Sequence, residues 1–465
     1  MKYSELRTPS YIVQEGALKH NLEIIKNVRE KTGCKILLAQ KAFSMYRVYP
    51  LIASYLDGTT ASGIYEARLS HEEFGGDVPE NHVFEPAYDS SEMKELCEMC
   101  THIYFNSISQ LELHRPVWEP CRKAGKIKVA LRINPEFSTQ KGHEIYDPCS
   151  SGSRLGIRRC DLPDKLPEGV TGLHFHTLCE QNVQPLIDTF HHIEEKFAEQ
   201  LKQISWINMG GGHHITRDDY ETKRLMDFLN DVKDRYGFQI YLEPGEAIAL
   251  NAGTLITRVM DIVNSDDIPT LILDASAACH MPDVIEMPYT PPLFGALESR
   301  PGTEPFRPCD ALMNADNSDT VLKNAVNTGT VQNACDDVDL SEESSVTEGN
   351  GSGKNDTNVT NIAKVKDNAN GADITNSPDI TSSVWVRLAS RTCLAGDVIG
   401  IYRLSEMPAV GDILTFGDMA IYSMVKNNTF NGMPLPDIVL EKYSEDDDRY
   451  ELVKRFGYED FKGRL

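Results

Sequence analysis

The 465-residue sequence has no excess of positive charge: 46 Lys and Arg stand against 70 Asp and Glu, a formal net charge of −24. Neutralising phosphates requires a basic face, so this balance argues against nucleic acid as a partner. Bulk acidity suits a cationic substrate but is by itself a solubility feature. No apolar run approaches the ~20 residues needed to span a bilayer, so no membrane role is expected. The start, MKYSELRTPSYIV, lacks the basic-then-apolar order of a signal peptide. A disulfide framework is also missing, since the 11 cysteines are scattered and odd in number. Cys97 and Cys100 form a C-x-x-C on a predicted helix, with no second pair to complete a zinc site, and read as structural. A reducing cytoplasm is the expected compartment.

One stretch lacks aromatic residues altogether. Pro308 to Ser383 contains no Phe, Trp or Tyr, where the chain-wide 8% would place about six. It carries thirteen acids, four bases and twelve Asn, in segments such as SEESSVTEGNGSGKNDTNVTN. Such a composition cannot bury enough apolar surface to offset its ordering entropy, so 308–383 reads as a disordered insertion. Removing its net −9 leaves −15 over the other 389 residues.

Ahead of the insertion, short β-branched runs alternate with helical patterns. The runs are KILLAQ (35–40), GTTAS (58–62), HVFE (82–85), HIYFN (102–106), IKVALRI (127–133), GLHFH (172–176), ISWINM (204–209) and QIYLE (239–243). Between them lie helix-like segments, one with Leu18, Leu22, Ile25 and Val28 at helical spacing. Another, SQLELHRPVWEPCRKAG, is interrupted by prolines and is expected to bend or stop early. Eight such units predict an α/β fold built on a (β/α)8 barrel. A doubly wound open sheet is the runner-up, but the Gly-rich turn expected after its first strand is absent, that strand ending in Gln40-Lys41-Ala42. After Asn251 the pattern changes to strands without long helices: GTLITRVMDIV, TLILDAS, VWVRLAS, DVIGIYRL, DILTFG and AIYSMV. This predicts a second, all-β domain. The expected organisation is an N-terminal strand (1–15) joining the β domain, a barrel (16–250), the β domain in two parts (251–307 and 384–465), and the insertion between them.

Barrel active sites gather where strands end on the C-terminal face. Lys41 follows the first strand. His174 and His176 are two apart on one predicted strand and so share a face. Gly210-Gly211-Gly212, then His213-His214, follow the seventh strand, and Glu243-Pro244-Gly245-Glu246 closes the eighth. A glycine triplet lets backbone N–H groups converge on an anion. A lysine for an aldehyde, a histidine to cover a ring, glycines for a phosphate and a carboxylate for a ring nitrogen are the parts of a pyridoxal phosphate site. A metal-dependent barrel hydrolase using His174 and His176 with His213 or His214 is the alternative from another class. A non-catalytic relative retaining the fold is a third.

Together LLAQKAFS, GLHFHTLCE, NMGGGHHIT, YLEPGEAIALNAG, DASAACHMPDVIEMPY, TCLAGDVIG and AIYSMVKNNTFNG resemble the carboxynorspermidine (carboxyspermidine) decarboxylase family. That family lies within the alanine racemase-like, fold-type III pyridoxal phosphate decarboxylases, with ornithine and diaminopimelate decarboxylases. The resemblance covers the chain apart from 308–383. It implies a barrel plus a β domain, a homodimer with shared active sites, and decarboxylation of a polyamine-like amino acid in polyamine biosynthesis, or of another basic amino acid. Lys41 matches the cofactor lysine, His176 the histidine stacked on the pyridine ring, and Gly210 to Gly212 the phosphate loop. Glu243 matches the carboxylate at the pyridine nitrogen and Tyr422 a phosphate-contacting tyrosine. Cys393 resembles a cysteine that reaches in from the second subunit to return a proton. The ornithine-type enzymes place an arginine after Glu-Pro-Gly where this sequence has Glu246. Their acidic residue after the cysteine is Leu394 here, with Asp397 three positions on. A carboxylate replacing a cation fits a substrate with additional amines. Glu246 and Asp283 are therefore the expected substrate contacts, with Asp397 and Glu286 behind them.

Overall fold

The computed structural model describes residues 1–302 and 383–465, apart from 77, 78, 141–143, 265, 267, 288, 445 and 447. All of the 308–383 insertion except Ser383 lies outside the described residues. Eight parallel strands close a barrel in chain order: β2 (Lys35–Ala39), β3 (Gly58–Ala61), β4 (Glu80–Phe84), β5 (His102–Phe105), β6 (Lys128–Arg132), β7 (Val170–His174), β8 (Trp206–Asn208) and β9 (Gln239–Leu242). The seam pairs Lys35 with Tyr241 and Ile36 with Leu242. Each strand overlaps one of the eight runs picked out in the sequence.

The barrel helices bury their apolar stripes outside the strands. Helix α1 (Glu15–Thr32) turns fully buried Leu18, Leu22, Ile25 and Val28 inward. It ends at Gly33, whose φ of 67° and N–H bond to Arg29 form a left-handed cap. The proline-bearing segment forms one helix, Ile108–Lys123, rather than stopping early. Pro116 and Pro120 are four apart on its exposed side, so water can reach the carbonyls they leave unpaired, while Leu111, His114 and Trp118 are buried.

A nine-stranded sheet forms the second unit, with β1 (Ser10–Gln14) between β10 (Gly253–Val263) and β16 (Asp437–Glu441). Its other members are β11 (Thr270–Leu273), β12 (Ala296–Arg300), β13 (Val384–Ser390), β14 (Val398–Leu404), β15 (Ile413–Gly417) and β17 (Tyr450–Lys454). Short helices at Ala277–His280, Asp283–Glu286 and Ser423–Lys426 lie between its strands. AIYSMV, expected as a strand, is instead a tight turn leading into the last of these. Ser423 N–H bonds Ile421 O around Tyr422, whose φ is 50° and ψ −44°. This is a γ-turn, a strained shape that needs outside support. Tyr422 N–H donates to Ala42 O at 2.8 Å, pinning the sheet unit to the segment after Lys41.

Candidate active site

The C-terminal mouth of the barrel opens into two connected lobes. An inner lobe of about 480 Å³ is lined by Lys41, Arg132, His174, His176, Gly212 and Glu243. An outer lobe of about 600 Å³ lies toward the sheet and includes Glu180, His214, Asp283, Tyr289, Asp418 and Lys426. Lys41, Tyr146, Cys179, Glu246 and Tyr422 line both.

In the inner lobe, the Lys41 Nζ is 3.5 Å from His176 Nε2. The Nδ1 of that imidazole accepts Gly211 N–H at 3.0 Å, so the neutral ring carries its proton on Nε2, facing the lysine. Such a donor suits an uncharged amine better than an ammonium. Lys41 is exposed to the lobe, which the surrounding barrel loops and sheet unit line. Burial, with the Arg132 charge, holds its pKa below the usual lysine range despite Glu243. Burial and then Lys41 push His176 well below the usual imidazole value. Arg132 closes β6, donates to His176 O at 3.1 Å, and lies 4.5 Å over the Phe84 ring.

Glu243, buried directly after β9, lines the same lobe as Lys41. Asn208 Nδ2 donates to its Oε1 at 2.7 Å, and His174 Nε2 is 3.3 Å from its Oε2. Burial would raise this carboxyl, but His174, His82 and Thr60 outweigh it and hold it below the usual range. His174 is a buried ring stacked 4.7 Å from Tyr104.

The glycine triplet lets the chain after β8 pass close to its neighbours. A Cβ on Gly211 would lie 2.1 Å from Glu243 O, and one on Gly212 would lie 1.8 Å from Leu178 O. The expected convergence of three N–H groups is reduced. Gly210 N–H is taken by Asn208 Oδ1 at 2.8 Å and Gly211 N–H by His176. Gly212, the member lining the cavity, has the N–H without a partner among the described residues.

The predicted substrate acids divide. Glu246 stands where the lobes join, its Oε2 2.8 Å from His214 Nε2. Asp283 lines the outer lobe but is paired with Lys426 and accepts Tyr146 O–H at 3.4 Å. Glu286 is off the cavity: it is exposed and shares Lys426 at 2.5 Å. Asp397 is also off it. Buried, it accepts Ser276 and Thr392 hydroxyls at 2.6 Å each and Ala278 N–H at 3.2 Å, anchoring the turn before Cys393. Cys393 is exposed and lines neither lobe of its own chain.

Two outer-lobe acids escaped the sequence reading. Burial, followed by repulsion from Glu246, raises the Glu180 carboxyl. Burial also pushes Asp418 up to about 6, although Asn251 N–H donates to it at 2.8 Å. Neither follows a recognisable motif. Arg132 and Asn208, by contrast, end apolar barrel strands, where the strand-end rule points.

The four histidines of the hydrolase alternative do not converge. His213 turns to Tyr220 OH at 2.7 Å and His214 to Glu246. Among the described residues, the group with ligand atoms close together is Glu80, His82 and His102, on the barrel floor. The inner lobe instead suits a ring with an aldehyde at one edge, a basic nitrogen and a phosphate. Lys41 would take the aldehyde, His176 a ring face, Glu243 the nitrogen, and Gly212 with Tyr422 the phosphate.

No family model matches the chain. A carboxynorspermidine/carboxyspermidine decarboxylase from Campylobacter jejuni is 32% identical over 464 residues, covering 100% of both chains. A carboxyaminopropylagmatine decarboxylase from Synechocystis is 32% identical, covering 100% of this chain and 97% of its own. The crystal structure of carboxynorspermidine decarboxylase from Campylobacter jejuni complexed with norspermidine superposes with a TM-score of 0.74. Its sequence is 31% identical, covering 99% of this chain and 100% of that one.

Proposed function

The chain belongs to the carboxynorspermidine/carboxyspermidine decarboxylase family of fold-type III decarboxylases, and we propose that it converts a carboxylated triamine to norspermidine or spermidine plus CO2. One observation carries this reading. Lys41 and Glu243 line one lobe, and the lobe adjoining it is lined by four carboxylates, Glu180, Glu246, Asp283 and Asp418. A polyamine with one α-amino acid end has that same division, its reacting end distinct from its cationic tail.

Pyridoxal phosphate, when bound, supplies the electron sink that accepts the bonding pair as CO2 leaves. The residues of the chain do the rest. Lys41, its pKa lowered by burial and Arg132, is available as a nucleophile and then as a base. His176 fills one face of the lobe and is fixed by Gly211 N–H. Ionised Glu243 keeps a ring nitrogen protonated, which strengthens the sink. The outer acids draw the substrate's ammonium groups away from the reacting carbon and so orient the α-carboxylate.

The reading includes a cytoplasmic homodimer. Cys393, exposed and outside its own cavity, would complete the partner's site and return the proton to the α-carbon. Mixing Lys41→Ala with Cys393→Ala chains should then recover up to about a quarter of wild-type activity, because half the dimers are mixed and each has one intact site. No recovery would remove the shared site.

The 32% identity to a carboxyaminopropylagmatine decarboxylase makes a guanidinium-bearing tail the second substrate reading. CO2 release should be measured from carboxynorspermidine, carboxyspermidine and carboxyaminopropylagmatine by the cofactor-loaded protein. Turnover at least about tenfold better on a triamine supports the first reading. Preference for the guanidino compound selects the second, and release from none of them overturns both.

A further inference from the structure

Below the inner lobe, the barrel interior departs from the packing typical of its fold. Such interiors are filled by layers of branched aliphatic side chains. This one holds a file of polar groups walled by Leu37, Ala130, Trp206 and Tyr241. It begins at Lys35, the first residue of β2, whose Nζ pairs with Glu80. Glu80 Oε2 is 2.9 Å from His82 Nε2. His82 Nδ1 meets Tyr104 OH, and Asn208 Nδ2 donates to that oxygen at 2.9 Å. The same Nδ2 donates to Glu243 Oε1 at 2.7 Å.

The direction of every bond follows from its two ends. Gly210 N–H donates to Asn208 Oδ1, so the amide cannot flip and its NH2 must face Tyr104 and Glu243. Tyr104 oxygen therefore accepts from Asn208, and its own hydrogen goes to His82 Nδ1. His82 then carries its proton on Nε2 and donates to Glu80, whose charge Lys35 balances. All of these groups are satisfied in one arrangement. Protonating His82 would leave the Tyr104 hydrogen without an acceptor, at the cost of a buried unpaired donor.

We propose that Asn208, Tyr104 and His82, anchored on Glu80 and Lys35 at the barrel floor, are positioning residues that aim Glu243 and keep it ionised. The inference rests on Glu243 being the carboxylate that faces the ring nitrogen. Other groups act on Glu243 as well: His174 from β7, Thr60 from β3, and the charges of Lys41 and Arg132. His82 is also faced by the His102 ring at 3.8 Å and by Tyr241 at 5.0 Å. None of these accepts the other hydrogen of the Asn208 NH2, which Tyr104 takes.

The test is a graded series on the loaded enzyme: Asn208→Ala, Tyr104→Phe and Lys35→Met, with Glu243→Gln as reference. Expected losses in kcat are about 100-fold, tenfold and twofold in that order, with KM within about twofold. Cofactor affinity should stay within about threefold of wild type, which separates positioning from misfolding. Activity requires ionised Glu243 and is lost as pH falls through its pKa, so weakening the file raises that pKa. The acid limb of kcat should then lie at higher pH in the first two variants than in wild type. In cofactor-free protein, nitrogen NMR should find His82 neutral with its proton on Nε2, and Tyr104→Phe should shift the Nδ1 resonance.

If Glu243→Gln is inactive while Tyr104→Phe matches wild type in kcat and acid limb, the positioning proposal fails and the site reading stands. Glu243→Gln with wild-type kcat overturns both. A His82 proton on Nδ1 overturns the bond directions and the proposal with them.

Discussion

The two lobes differ in how their charges are held. In the inner lobe the two groups flanking Lys41 are tied to the barrel: Asn208 donates to Glu243, with His174 beside it, and Gly211 donates to His176. In the outer lobe the carboxylates crowd one another, and burial with mutual repulsion lifts Glu180 and Asp418. A satisfied site is built to do chemistry on a group it holds rigidly. A site with surplus anionic charge gains stability when a polycation enters, because each ammonium relieves repulsion as well as making its own bonds. The difference teaches that catalysis and selectivity are separable here.

Substitutions should therefore split along the same line. Lys41→Ala should have the largest effect, lowering turnover on the order of 10³-fold or more and removing the absorbance of lysine-bound cofactor. Retained turnover would break the inner-lobe account. Glu243→Gln should lower kcat about 10²- to 10³-fold with little change in KM, read by steady-state kinetics. A pure KM effect would merge the two lobes. Glu246→Gln should do the reverse, raising KM for the triamine about tenfold while cofactor occupancy and kcat hold. The smallest effect belongs to Asp418. Its carboxyl, pushed up to about 6, is anionic above that pH and neutral below it. Its contribution to binding a cation is thus present at pH 7–8 and lost as pH falls through about 6. KM should rise a few-fold on that descent, and Asp418→Asn should flatten the limb while keeping the higher KM throughout.

The barrel was largely legible in the sequence because its strands are buried on both faces. They appear as compact β-branched runs, and helices of regular period separate them. That Lys41, His176 and Glu243 line the mouth was legible for the related reason that strand ends face it. Local sequence could not convey contacts made elsewhere. AIYSMV has the composition of a strand, yet Ala42 O, far away in the chain, captures Tyr422 N–H and supports a γ-turn. Pro116 and Pro120 suggested a broken helix, and only their exposed placement permits a continuous one. Asp397 and Glu286 looked available for substrate until their partners were seen. Asp397 is held by Ser276, Thr392 and Ala278, and Glu286 by Lys426. Glu180 and Asp418 were invisible because their importance comes from packing beside Glu246, not from any spacing.

The separation of the lobes is tested most directly by one ratio: kcat/KM for carboxynorspermidine over that for an α-amino acid of equal length lacking the secondary amine. It should be measured in wild type and in Glu246→Gln. A wild-type preference of at least about tenfold that falls to about two- to threefold in the variant, through KM alone, is the predicted result. An equal ratio in both proteins, or a variant that loses kcat on both substrates alike, would contradict it.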